Sequence, residues 1–299
     1  LDYARERVRT LTDQGYKLEL LSAREALAIE PEAGPGAEGY VLVPERGQAD
    51  PVKATQAMAS AAMSLGARVL TGHGVTGIEL SHDSSYSIST RQGDFHCGVL
   101  VIAAGAWCSA VGNMLGLNIP VVPVRGQMWA TESLPPRVFH TISAAESPLY
   151  WSDLRGGDET NPPELTHLAG RRVTRHLYGR QRRNGEVIFG GDREALGLDT
   201  GTSPDGIEVN KGQAGEALPF LNGIPIKRTW SGLMPFSLDG KPIIGRIPLR
   251  DNLFIVTGLA SSGFGRGPMA GKFVADLLHT GDMPAVLSEA DPSRCVAEC

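Results

Sequence analysis

The sequence predicts a mixed α/β protein of two domains, and three observations lead there. Its 299 residues, 41% hydrophobic and 20% charged, exceed what one hydrophobic core usually organises. Two segments, residues 99–115 and 253–278, each run from an apolar strand through a glycine turn into a helix, which is the order of half a nucleotide-binding α/β unit. Between them, residues 121–131, 173–180, 186–190 and 227–231 read as strands of a mixed or antiparallel sheet.

Residues 1–14 and 22–29 carry helical patterns, the second opening with Ser22 and Glu25 at capping-box spacing and ended by Pro31. Gly34, Pro35, Gly36 and Gly39 form a loop before the apolar run 40–43. Asp50-Pro51 is a strong helix start. Its carboxylate accepts from free backbone N–H groups, and proline at the first helical position has no N–H to leave unsatisfied. That helix is expected to reach about Leu65 and stop at Gly66, with strands at 68–70, 75–80, 86–90 and 94–97 after it. Residues 99–104 form a continuous apolar run ending in Gly105, which fits a fully buried strand of a parallel sheet, and a helix follows to about Leu115. Near the other end, 253–257 is a buried strand, 258–267 a glycine-rich turn and 268–278 a helix. Residues 151–171, rich in glycine, proline and acids, read as a surface loop, and residues 283–299 as a frayed tail.

The net charge of -5 comes from interspersed acids and bases, so nothing favours a nucleic-acid partner. Cys97, Cys108, Cys295 and Cys299 are too few and too scattered for a disulfide framework, and no second pair or nearby histidine completes a metal site around Cys295 and Cys299. The seven histidines form no cluster. No apolar stretch reaches the ~18 residues of a membrane span, so a cytoplasmic location is the default expectation and a small molecule the expected partner.

Eight short motifs in order carry a family resemblance: Gly47-Gln48-Ala49-Asp50-Pro51, Leu65-Gly66-Ala67, Val101-Ile102-Ala103-Ala104-Gly105-Ala106-Trp107, Pro123-Val124-Arg125-Gly126-Gln127, Gly190-Gly191, Trp230-Ser231-Gly232-Leu233, Asp239-Gly240-Lys241-Pro242-Ile243-Ile244-Gly245, and Gly258 through Pro268. Across nearly the whole chain this set resembles the D-amino-acid oxidase, glycine oxidase and sarcosine oxidase family. The resemblance implies noncovalent FAD in a Rossmann-like domain (49–120 and 234–282) and an antiparallel-sheet substrate domain (1–48 and 121–233). The family's opening strand, Gly-x-Gly-x-x-Gly turn and helix are absent, so the chain is expected to lack the first βαβ unit of the FAD domain.

The resemblance also implies roles for single residues. Gly263, Phe264 and Gly265 enter the last helix where free N–H groups and the helix dipole would face the reduced flavin's N1/C2=O edge; the other reading is tight strand-to-helix packing alone. Ala104, Gly105 and Trp107 match positions near the FAD phosphate and ribose, and Val75 matches a contact to adenine. Without the resemblance, Trp107 reads as a core aromatic. Gly126, Gly232, Leu233, Gly258 and Ser262 complete the candidate cofactor set, while Arg125 is open between a site and a surface role.

Tyr178 matches a tyrosine that reaches the substrate carboxylate in glycine oxidases. With Arg180 it is the candidate catalytic and substrate-binding pair, His176 being a weaker neighbour. The alternative places Arg180, Arg182 and Arg183 on a solvated face beside the Asn184-Gly185 hairpin tip.

Met234 stands where amino-acid oxidases carry a carboxylate-clamping arginine, and Ser261 where some glycine oxidases carry a second; Leu233 replaces the flavin-linked cysteine of sarcosine oxidases. The implied reaction is hydride transfer from an amine-bearing carbon to flavin N5, acting on an amino acid or a secondary or N-methyl amine, with oxygen or another acceptor reoxidising the flavin. The alternative is a catalytically inactive flavoprotein-fold assembly or binding factor.

Overall fold

The computed structural model describes residues 1–144, 167–168, 171–172 and 176–299. In chain order its elements are α1 (Asp2–Asp13), β1 (Glu19–Leu21), α2 (Ala23–Ile29), β2 (Tyr40–Leu42), α3 (Pro51–Ser64), β3 (Val75–Leu80), β4 (Tyr86–Thr90), β5 (Gly93–Cys97) and β6 (Leu100–Ile102). Then come α4 (Cys108–Asn113), β7 (Leu117–Asn118), β8 (Val121–Ser133), β9 (Ile142–Ser143), β10 (His167–Leu168), β11 (Arg171–Arg172), β12 (Tyr178–Gln181) and β13 (Glu186–Gly190). The last are α5 (Pro204–Ala217), β14 (Arg228–Ser237), β15 (Ile243–Arg246), β16 (Leu253–Thr257), α6 (Gly263–Thr280) and β17 (Ala297–Glu298).

Two sheets carry the architecture. A three-stranded sheet, order β15-β16-β6, pairs β16 with β6 in parallel, as the strand-turn-helix units predict. Alternation along its strands gives it two packed faces. Ile102, Ile243, Leu253 and Ile255 face a core shared with Tyr86 and Ile78 of the antiparallel β3-β4-β5 sheet. Ile244 and Phe254 face α6, where Ala270, Val274 and Leu277 cover them.

The second sheet has five strands, order β14-β8-β13-β12-β9, and is antiparallel throughout its recorded pairings. One face, with Trp129, Val187 and Phe189, packs against Ile207, Ala214 and Leu218 of α5 and the residue after it, forming a core of its own.

The structure corrects several expectations. Residues 68–70 form no strand with any of the described residues. β6 is parallel as expected, but the run 99–104 is not fully buried: Val99, just before the strand, and Val101 within it are 50% and 37% exposed. The final helix begins at Gly263, so 263–267 are helical rather than turn. Residues 283–299 do not fray, since Leu287, Ala290 and Val296 are buried, β17 pairs with β7, and Arg294 grips Asp239 at 2.7 Å. The expected loop at 151–171 falls, apart from the backbone of 167–168 and 171, outside the described residues, as does the strand start at 173–175.

Candidate functional site

β8 and β14 pair over ten residues, with Gly126 directly opposite Gly232 and Met234 opposite Val124. Directly opposed residues share a face, so the register sorts side chains without ambiguity. Tyr178, Gly190, Met128 and Trp230 form one row across four strands, and Arg180, Ile188, Ala130 and Arg228 form the next. The candidate pair Tyr178 and Arg180 therefore lies on the same face as Gly126, Gly232 and Met234. Arg125, Gln127, Trp129 and Leu233 point to the opposite face.

The two glycine turns meet on this sheet. The turn Gly105–Trp107, entered at φ +55° by Gly105, and the turn Ala260–Ser262, entered past Gly258 at φ +71°, both pack against β14. Glycine supplies that left-handed backbone at no steric cost. Thr257 donates its hydroxyl to the Gly105 carbonyl at 3.2 Å and locks the turns together. Ala260 holds φ +49° without being glycine, an unfavourable conformation of the kind that concentrates at functional sites. Ser262 provides no side-chain cap for α6, which leaves N–H groups of its first turn without a side-chain acceptor. Gly105, Gly232 and Gly265 have no atom within 4 Å of where a side chain would begin, so each leaves open space beside the backbone. An apolar cavity of about 410 Å³ lies between α3 and α6, lined by Ala54, Thr55, Met58, Phe264 and Pro268.

The remaining candidates fall as follows. Ala104 and Ser262 are part-buried beside the turns, Ser261 is exposed, and Phe264 is 50% exposed. Trp107 is 48% exposed and so is not a core aromatic. Val75 opens β3 on the separate antiparallel sheet, 41% exposed, and is not brought against the β14 turns.

Arg180 is 8% exposed and donates to the Tyr178 hydroxyl and, at 3.2 Å, to the Ala49 carbonyl. This removes it from the solvated-face reading. Arg182 is held by Asp50 at 2.6 Å and Glu186 at 2.9 Å, while Arg183 is exposed. Asp50 also caps α3 through Val52 N and Lys53 N, so the hairpin and the helix start share one carboxylate. Hydrogen bonds from Asn184 and Arg228 hold the Glu186 carboxyl down at about 2. His176 is buried, and burial lowers its imidazole to about 4.

Arg125 is not at the surface. It pairs with Glu194 at 2.6 Å and Asp199 at 2.9 Å, and Gln127 donates to Asp192 and accepts from Ser203 N at 2.6 Å. This network ties the strand carrying Gly126 to residues 192–203. The sequence did not reveal it, nor Met128 and Trp230 on the site face. Period-two counting from Gly232 and Gly126 would have reached those two. Among the described residues no group of His, Cys, Asp or Glu side chains is arranged to hold a metal ion, and no helix is long and apolar enough to cross a membrane.

Comparison with known proteins places this geometry. Residues 1–277 match the family described as FAD dependent oxidoreductase (DAO). The hydrogen cyanide synthase subunit HcnC of Pseudomonas aeruginosa is 27% identical over 94% of this chain and 61% of its own length. The glycine oxidase of Geobacillus kaustophilus is 27% identical over 89% of this chain and 63% of its own length. The chain thus spans less than two thirds of these relatives. The crystal structure of glycine oxidase from Geobacillus kaustophilus superposes with a TM-score of 0.83 at 24% identity, covering 98% of this chain and 71% of that one. That of L-proline dehydrogenase from P. horikoshii superposes with a TM-score of 0.77 at 25% identity, covering 97% and 72%. The chain belongs to the FAD-dependent oxidoreductase family.

Proposed function

We propose that the chain supplies the flavin-ring and substrate-binding parts of an enzyme that oxidises the C–N bond of a carboxylated amine, an amino acid or a secondary amine. The observation that carries this reading is Arg180: a guanidinium 8% exposed, bonded to the Tyr178 hydroxyl, on the same sheet face as Gly232, with no ion-pair partner among the described residues. A buried charge without a counterion is costly, and a carboxylate completes it.

The open space at Gly105, Gly232 and Gly265 fits a flat ring system, and the uncapped start of α6 fits the negative charge such a ring gains on reduction. When bound, FAD supplies the two-electron acceptor for a hydride leaving the amine-bearing carbon. The chain's own residues do the positioning. Arg180 and Tyr178 hold the acid, Gly232 leaves the backbone open to the ring, and Arg125 with Gln127 keeps the paired strand β8 in place.

Oxygen or another acceptor would take the electrons on from the bound cofactor. We assign residues 49–120 and 234–282 to a cofactor domain and residues 1–48 and 121–233 to a substrate domain, a reading supported by the core around Ile102, Ile243 and Ile255 being distinct from that around Trp129 and Phe189.

The test compares Arg180→Ala with wild type on a carboxylated amine and its decarboxylated analogue, following anaerobic bleaching of the FAD-loaded protein. Loss of one charge-assisted contact predicts a drop of about ten- to a hundredfold in kcat/KM on the carboxylated substrate alone. Equal effects on both would remove the anchor. No bleaching by any amine would favour a binding protein without catalysis.

A further inference from the structure

The sheet face that carries Tyr178 and Arg180 also carries two methionines in a particular placement. Met128 Sδ occupies the space that a side chain on Gly190 would need, and Met234 Cε lies 3.1 Å from where a Cβ on Gly126 would sit. Both thioethers therefore lie across neighbouring glycines instead of standing off the sheet. Met128, Trp230 and Met234 are each only part-buried, and the core of this domain is on the other face. Part of their apolar surface stays open after folding. The Arg228 guanidinium stacks 4.5 Å from the Trp230 ring and is itself held by Glu186 at 3.1 Å, which fixes the indole. Strands about 4.8 Å apart put Trp230 about 14 Å across the sheet from Tyr178, a floor much longer than a glycine molecule.

We propose that this floor selects the substrate as a carboxylated amine with a bulky apolar or aromatic substituent, its acid on Arg180 and Tyr178 and its substituent over Met128, Trp230 and Met234. This rests on the carboxylate-anchor reading above. Unbranched, polarizable thioethers make favourable contacts with ring edges and adapt to irregular shapes, and side-chain-free positions beneath them leave room to shift. Gly190, Met128, Gly126, Gly232, Met234 and Trp230 offer a substituent no polar side-chain group beyond the indole N–H, so a polar substituent would lose its water with little in return.

The experiment is titration calorimetry on the FAD-saturated protein with two acids that have no amine to oxidise, acetate and 3-phenylpropionate. The expected result is about 30-fold tighter binding of 3-phenylpropionate, the scale of partly burying a phenylalanine-sized group. Met128→Gln should bring the ratio of the two Kd values to within about threefold, while Met128→Leu should keep it. Met234→Gln, on another strand, gives an independent reading if the first variant does not fold. Equal affinities in wild type, or a ratio unmoved by both glutamine variants, would overturn the floor. Arg180→Met separates the two readings. Weakening of both acids alike with the ratio kept supports anchor and floor together. Undiminished binding of both would overturn the anchor and the two-ended substrate with it.

Discussion

Arg125 and Glu194 meet at 2.6 Å with each side chain only 4% exposed, which sets an ion pair inside the antiparallel half of the molecule. Such a pair is weak evidence for stability as a unit, but removing one partner strands the other. Arg125→Met should destabilise by ~3–5 kcal/mol. Arg125→Met combined with Glu194→Leu should recover a large part of that in urea unfolding. A strictly additive double variant would show that the two charges do not act as a pair.

Gly179 faces Phe189 directly across β12 and β13, and a Cβ there would overlap the phenyl ring. Gly179→Ala should therefore cost ~1–3 kcal/mol by overpacking. Adding Phe189→Leu should relieve part of the loss. If the alanine variant alone unfolds at the wild-type midpoint, the ring has room to move.

His176 makes stability fall on mild acidification. Burial lowers its pKa to about 4 from the ordinary 6.5, so the folded state resists a proton that the unfolded chain accepts. Its contribution is complete above about 6.5 and is lost as pH falls toward about 4, at a slope approaching ~1.4 kcal/mol per pH unit. His176→Gln should flatten the stability profile between those limits. An unchanged slope would assign the titration to another group.

Glu186 acts lower on the same scale. Its hydrogen bonds from Asn184 and Arg228 hold the carboxyl at about 2, below the ordinary 4.5, so its contribution is present above 4.5 and lost as pH falls to about 2. Glu186→Gln should destabilise by ~1.5–3 kcal/mol at neutral pH and by little near pH 2, read by denaturation at both.

Gly265 lies in the first turn of α6 with open space where a side chain would start. Gly265→Asp should set a carboxylate beside the flavin's N1/C2=O edge and lower its potential by ~30 mV for each ~1.4 kcal/mol of repulsion. Dye-equilibration potentiometry on the FAD-loaded protein reads this directly. A potential equal to wild type would place that turn away from the ring.

Local signals were legible in the sequence. The capping box Ser22–Glu25 closes as its spacing foretold, Asp50-Pro51 starts its helix, and the glycines at 105 and 258 mark both strand-to-helix turns. Alternation placed Tyr178 and Arg180 on one face. What failed was non-local. α5 went unseen because, Ile207 apart, it buries the small or polar residues Gly206, Asn210, Ala214 and Gly215, which leave no apolar stripe to count. Arg125 gave no sign of burial because its partner is 69 residues away. The run 99–104 suggested burial on both sides, yet one side of β6 is open, since a continuous apolar run says nothing of what lies opposite each face.

The alternation of β8 divides labour between neighbouring residues. Arg125, Gln127 and Trp129 hold the domain together on one side, while Gly126 and Met128 between them meet whatever lies over the sheet. Substitutions at every second position can therefore retune recognition without disturbing the residues that keep the chain folded. A single-residue insertion within the strand would exchange the two sets and end both tasks at once. Diversification of such a surface is expected to proceed by replacement, with insertions and deletions confined to the turns that join its strands.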